Sequence, residues 1–452
     1  MVNDFISKED LSLFTSGSRF PLASVFFKEG LEDTVATFDL LVRDLPPSRN
    51  FLVFAGLEHV ADYLVNLKFN PRQLQWIKES FSFPPEIMNY FKKFRFTGNM
   101  YAMPEGTIFF PNEPVIRITA PLIEAQLIEM FLINTVYVQT ILATKIARVT
   151  QATNGKPLAL GFNRSYGLDT AIKNSRVSDI FGVLNQLALY YYKNNHKTKF
   201  YGTFHYLMMA FDTEKDAFKA FLRDTKGKGY LLVDTYDTVK GIKNYIESAE
   251  ELKEEGIKVT GIQLDSGDLY QLSKVARRML DEAGLPEVKI FAMSDLDEYK
   301  IEKLEKKAAP IDVYAGLTNI LTPTDAPTIE LVYKLAEIKK GNKIIPKMKT
   351  STKKISLPGR KQVYRIEKNG KYIEDAIALD KERYAGKKLL KLIINRGKLV
   401  YKYPSLKQIG KHYNVEKKKF KHQLFDLKRK AKYPVNISPL LEELTKQTKK
   451  SL

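Results

Sequence analysis

The sequence has no cysteine among its 452 residues, a single tryptophan and only five histidines, at 59, 196, 205, 412 and 422. Without thiols there are no disulfides, no thiolate nucleophile and no cysteine-based zinc or iron–sulfur centre. So few imidazoles, none in an HExxH spacing, also argue against a transition-metal centre. No run of 18 or more uninterrupted apolar residues occurs, so no membrane span is expected. The opening MVNDFISKEDLSLF lacks the basic start and apolar core of a secretory signal. A cytoplasmic protein is therefore expected. Internal repeats and low-complexity linkers are absent too.

What is present is a globular composition, 44% hydrophobic and 27% charged, in a chain long enough for two or three domains. The net charge of +20 is unevenly placed. From residue 381 to 452 there are 21 Lys and Arg against 5 Asp and Glu, a net +16, which leaves about +4 for the rest of the chain. This basic segment is either a solvated surface or an attractor of phosphates, nucleic acid included.

Three regions are expected: a mixed α+β domain over 1–125, an α/β region over 126–340 and the basic segment over 341–452. In the first, residues 34–46 read as a strand and 50–67 as a strand running into a helix. Residues 71–80 and 84–94 are amphipathic helices, each with Pro in its first turn. Residues 104–121 alternate between prolines as a hairpin, and 121–155 form a long apolar helix or helix pair. Then strands of about seven residues alternate with helices of about 12–18, the pattern of a parallel sheet. The predicted strands are 156–162, 198–204, 229–235, 258–265, 288–294 and 312–317. No G-x-G-x-x-G opens the first unit, so an irregular α/β barrel with a flanking α+β domain fits better than a doubly wound sheet.

In such a barrel, function collects at the C-terminal strand ends. Here every apolar strand is followed by polar or glycine-bearing sequence: Gly161 to Arg164, Gly202-Thr203-Phe204-His205, Asp234 to Asp237, Asp265-Ser266-Gly267-Asp268, Ser294-Asp295 and Gly316-Leu317-Thr318. A strand-end carboxylate such as Asp234 or Asp265 can grip a ribose diol or carry Mg²⁺ on a diphosphate. Gly267 would allow close approach of a ligand, and Ser266 or Asp268 could equally cap the next helix. His205 titrates near neutrality and could act as acid, base or phosphate acceptor, or serve packing alone. Arg164 suits bidentate phosphate binding, and Gly316 with Thr318 could cradle a phosphate through backbone N–H groups.

In order along the chain, several segments resemble the nicotinate phosphoribosyltransferase family. They are FAGLE at 54–58, QLIE at 126–129, QTILATK at 139–145, LLVDTYDT at 231–238, LDSGDL at 264–269, SDLDE at 294–298, VYKLAEI at 332–338 and LPGRKQVYR at 357–365. The resemblance implies transfer of phosphoribosyl from 5-phosphoribosyl diphosphate (PRPP) to nicotinate or a related pyridine base, giving the mononucleotide. It also implies Mg²⁺, assistance by ATP through a phosphorylated histidine, and a homodimer. Matched to the family's motifs, His205 and Asp265 become the catalytic candidates. Arg164, Thr203, Asp234, Ser266, Asp268, Gly316 and Thr318 become the substrate-binding ones.

The chain departs from the family pattern at several of those motifs. Phe-Gly-x-Arg-Arg reads Leu160-Gly161-Phe162-Asn163-Arg164, Asp-x-Tyr reads Ser16-Gly17-Ser18, and the Arg before Leu-Asp-Ser-Gly-Asp is Gln263. Gly-Thr-Ser-Asn reads Asn185-Gln186-Leu187-Ala188, and Gly-Val-Gly-Thr reads Ala315-Gly316-Leu317-Thr318. The histidine motif is one residue short. An alternative therefore stands beside the enzyme: a catalytically impaired paralogue that binds a nucleotide or a protein partner in a regulatory role.

Overall fold

The computed structural model describes residues 7, 9–185, 202–351 and 354–452. The chain forms two compact units, residues 1–144 with 328–452, and residues 145–327. The divisions thus fall at 144/145 and 327/328, where 125/126 and 340/341 were expected.

In the first unit, Val35–Val42 lies inside a seven-stranded antiparallel sheet, paired on one side with Leu331–Lys340 and on the other with Pro114–Pro121. Helices pack an aromatic core around Phe20, whose ring meets Phe69, Trp76, Phe81 and Phe91. Helix Pro71–Phe81 starts as its sequence dictates. Asn70 accepts from the Gln73 N–H and the Gln73 side chain bonds back to Asn70, with Pro71 at the first position. The long apolar segment is a helix pair, Leu122–Leu127 and Glu129–Ala152. Glu129–Ala152 is long and apolar enough to cross a membrane, but 72% of its most apolar stretch is buried inside the protein, as in a core helix.

The basic C-terminal residues are built into this unit. The hairpin Lys361–Lys368 with Lys371–Leu379 takes Val435–Ile437 as a parallel neighbour. Its centre is the fully buried Arg365, which forms a double ion pair with Asp375, pairs with Glu416 at 2.9 Å and donates to the Ile108 carbonyl at 2.7 Å. Burial, and then the charge of Asp375, push the Glu113 carboxyl well above its ordinary range.

The second unit is the α/β part. Five parallel strands lie in the order Leu158–Leu160, Val313–Gly316, Lys289–Ala292, Gly261–Leu264, Tyr230–Leu232. Each edge is continued by a parallel bridge, Leu184 beside Ala159 and Gly202 beside Tyr230. Six of the predicted strand ends are therefore neighbours. A helix, Leu168–Ile180, follows the first strand where 168–194 was expected, and residues 186–194, with 198–201 of the expected strand 198–204, lie outside the described residues.

Helix packing fixes the Asp234 strand end. A Cβ on Gly241, inside helix Thr238–Glu254, would fall 2.0 Å from the Val233 carbonyl oxygen. Gly241→Ala must push the helix off the strand that carries Asp234. Urea unfolding should report a loss of about 1–3 kcal/mol, the usual cost of overpacking. An unchanged midpoint would mean that the helix can shift freely.

Candidate functional site

The mouth of the second unit is assembled by contacts between adjacent strand ends. Thr203 is buried, and its Oγ1 accepts from the Leu232 N–H at 2.9 Å, so this hydroxyl fastens the outer strand end to the sheet. His205 opens the short helix His205–Met209 and is half-buried, with Nδ1 3.2 Å from the Thr235 hydroxyl. Asp234 reaches the next strand end, where its Oδ2 accepts from the Asp265 N–H at 3.2 Å and from the Ser266 hydroxyl at 2.6 Å. The other oxygen of Asp234, Oδ1, is buried and has no hydrogen-bond partner among the described residues. A buried carboxylate oxygen without a partner costs free energy, so it marks a place where a ligand donor or cation would be favourable.

Asp265 is half-buried beside it. Desolvation first, then the negative charges of Asp234 and Asp295, push its carboxyl up to about 6, against the opposing influence of His205. Two strand-end acids and a histidine therefore share one electrostatic environment. Asp295, from the third strand end, belongs to the same group. Its backbone is set by Ser294, a non-glycine residue at φ +119°, a conformation that L residues rarely adopt. The Asp295 carbonyl accepts from Lys300 Nζ at 2.7 Å and from Asn319 Nδ2 at 3.1 Å, which ties the third strand end to the fourth.

The remaining candidates are placed as follows. Asp268 caps helix Leu269–Glu282, accepting from the Tyr270 and Gln271 N–H groups at 3.0 and 3.2 Å. Gly267 precedes it at φ +76°, the left-handed region that favours glycine. Gly316 is buried, and a Cβ there would fall 2.1 Å from Ile320 Cδ1, so the glycine leaves room for that side chain of helix Thr318–Leu321. Thr318 is exposed at the start of that helix. Arg164 is exposed in the turn after Leu158–Leu160 and forms no ion pair among the described residues. Gln263, where the family carries Arg, is buried, with Nε2 3.9 Å from Met293 Sδ. Thr235 belongs to the strand end Asp234 to Asp237, but no spacing rule marks the residue after a strand-end acid as the partner of a histidine 30 positions earlier.

Comparison with known proteins identifies the family. Residues 13–137 match the model of the nicotinate phosphoribosyltransferase N-terminal domain, and 383–445 match the C-terminal domain of the same family. A nicotinate phosphoribosyltransferase of Mycobacterium tuberculosis is 37% identical over 390 residues, covering 86% of this chain and 83% of its own. The Bacillus subtilis nicotinate phosphoribosyltransferase is 35% identical over 461 residues, covering 95% and 93%. Among solved structures, the human nicotinic acid phosphoribosyltransferase superposes with a TM-score of 0.85 at 21% identity, over 96% of this chain and 99% of that one. The nicotinate-nucleotide pyrophosphorylase of Pyrococcus furiosus gives 0.74 at 23% identity, over 93% and 99%. By relatives more than 30% identical over most of its length, this chain belongs to the nicotinate phosphoribosyltransferase family.

Proposed function

We propose that this protein transfers the phosphoribosyl group of PRPP to nicotinate or a closely related pyridine base, forming the mononucleotide used in NAD biosynthesis. The observation that carries the reading is the joined pair of strand ends, with Asp234 bonded to Asp265 and Ser266 while one of its oxygens is left without a partner. In the reaction the ring nitrogen of the base forms a bond to C1′ of the ribose as the bond from C1′ to the diphosphate oxygen breaks. Positive charge develops at C1′ and negative charge on the leaving group. Carboxylates near the ribose hold its hydroxyls and favour the oxocarbenium character.

Asp234 and Asp265 also suit Mg²⁺, which takes one or two carboxylates and completes its shell with water and substrate phosphates. Among the described residues no group of three or more His, Asp or Glu side chains could hold a metal alone. Such an ion would come in with the diphosphate, whose charge it would neutralise. His205, held at Nδ1 by Thr235, is the candidate acceptor of the ATP γ-phosphoryl group, with ADP leaving. Arg164 and Thr318, both exposed at strand ends, are assigned to substrate phosphates. We assign a homodimer as well. Phe204 and Tyr206 flank His205, are 60% and 68% exposed and stack on each other with centroids 5.3 Å apart, an aromatic face that a second copy would cover. A cytoplasmic location suits such an enzyme. The basic C-terminal segment needs no nucleic-acid role, since its residues 383–445 match the family's own C-terminal domain. No observation favours the regulatory alternative.

The test is direct. Purified protein incubated with nicotinate, PRPP and Mg²⁺, with and without ATP, should release mononucleotide and diphosphate in equal amounts. No product with nicotinate or any other pyridine base would overturn the proposal. The pH profile adds a second test. Asp265 is raised to about 6 by burial and its acidic neighbours, so it gains a proton as pH falls through that value. If the carboxylate form is required, kcat/KM should show an acid limb near pH 6. A profile flat down to pH 5 would remove Asp265 from the machinery.

A further inference from the structure

One flank of the strand-end row carries a cleft that the reaction above does not use. Its volume is about 350 Å³. Tyr270 and Asp268 line it from helix Leu269–Glu282 and its cap, and Asp295 with Lys300, Lys303 and Lys307 line it from the other side. The three lysines follow an i, i+3, i+7 spacing, which puts them on one face of helix Glu298–Lys306 and its C-cap. Lys306, on another face, pairs with Glu302 at 3.0 Å, but none of the three cleft lysines pairs with a carboxylate among the described residues.

Two of the three ammonium groups have other contacts. Lys300 Nζ donates to the Asp295 carbonyl, and Lys307 Nζ lies 4.7 Å from the centroid of the Tyr270 ring. Lys274, from the facing helix, lies 5.4 Å from the same ring. Of the two carboxylates at the cleft, Asp268 is already committed to the N–H groups of its own helix. Like charges gathered on one helix face repel one another, and an anion seated among them removes that repulsion. Ammonium groups act as compact point charges with several donors each, which suits phosphate oxygens.

We propose that this cleft is an accessory anion site for adjacent phosphate groups, with inorganic diphosphate or the phosphate chain of a nucleotide as the source. It shares Asp268 and Asp295 with the strand-end row, but its lysines are its own and it does not require the phosphoribosyl reading. The full-length protein would be titrated calorimetrically with inorganic diphosphate, and separately with ATP, at low salt without Mg²⁺. Wild type, Lys303→Glu, Lys303→Glu with Lys307→Met, and Asp234→Asn would be compared. The expected result is a diphosphate-binding event that survives Asp234→Asn and weakens about tenfold for each lysine replaced, the usual worth of a charged hydrogen bond. Tighter, equally lysine-dependent binding of ATP would assign the nucleotide as the source, and its absence would assign diphosphate. Circular dichroism on the variants, all changed at exposed or partly exposed positions, would exclude misfolding as the cause of any loss. The proposal is overturned if wild type binds neither probe, if the double lysine variant binds as tightly as wild type, or if Asp234→Asn removes all binding. A protein that makes no mononucleotide yet keeps this pattern would sink the functional reading and leave this one intact.

Discussion

Replacing Asp234 by Asn is expected to lower kcat/KM for mononucleotide formation by about 10²–10³-fold, the range found when one preorganised electrostatic contact to a transition state is removed. The fold should survive. An amide oxygen can still accept from the Asp265 N–H and the Ser266 hydroxyl, the two bonds that Asp234 Oδ2 makes. What disappears is the charge, together with the partnerless Oδ1 that the protein leaves for a ligand. A second consequence separates charge from shape. Asp234 is one of the groups holding the Asp265 carboxyl up at about 6, so its removal lets Asp265 ionise at lower pH and moves the acid limb of any residual activity downward. Wild-type rates in the variant would place the reaction elsewhere in the molecule. An unchanged thermal midpoint with lost activity is the outcome that supports a role at the reacting centre.

Arg365→Met should destabilise the protein by about 3–5 kcal/mol, the cost of leaving buried charges without their partner. Arg365 is fully buried and meets Asp375 and Glu416 at once. Tyr372 and Lys387 bond the other oxygen of Glu416, and Tyr433 bonds Asp375. One guanidinium thus ties the hairpin, helix Leu406–Lys419 and the C-terminal strand region to the Ile108 carbonyl. Although burial alone would raise it, Arg365 and Lys387 hold the Glu416 carboxyl down to about 2. A depressed carboxylate contributes stability that is complete above its unfolded value, near 4.5, and is lost as pH falls through about 2. Wild type should therefore lose stability on acidification across that window. Glu416→Gln should lose less over the same interval while starting lower. Guanidinium unfolding at pH 7, 4.5 and 2.5 reads both effects. Equal losses in the two proteins would remove Glu416 from the acid transition.

The strand-and-helix alternation was legible because it depends on local pattern: apolar runs ending in glycine or acid, and caps such as Asp237 and Asp268 on the following helices. The neighbouring of strand ends followed from parallel topology. What the sequence did not disclose is which polar group faces a ligand and which serves the fold. Thr203 and Gly316 sit in motif positions, yet the first bonds the Leu232 N–H and the second makes room for Ile320. Asp268 had two readings, and the structure shows it capping a helix. Asp295 and Thr235 lie at predicted strand ends but carry no role readable along the chain, because their relevance comes from a through-space neighbour. The basic C-terminal charge looked like a surface property, while Arg365, just before it, lies at the centre of a buried network formed with Glu416 and Lys387.

The account depends on one arrangement, a sugar phosphate held across the ends of Tyr230–Leu232 and Gly261–Leu264. A crystal structure of the protein grown with nicotinate mononucleotide and Mg²⁺ measures it directly. The expected electron density puts the ribose hydroxyls within hydrogen-bond distance of Asp234 or Asp265, with His205 in the same chamber. Mononucleotide bound on any other surface, with those two carboxylates facing only water, would contradict it.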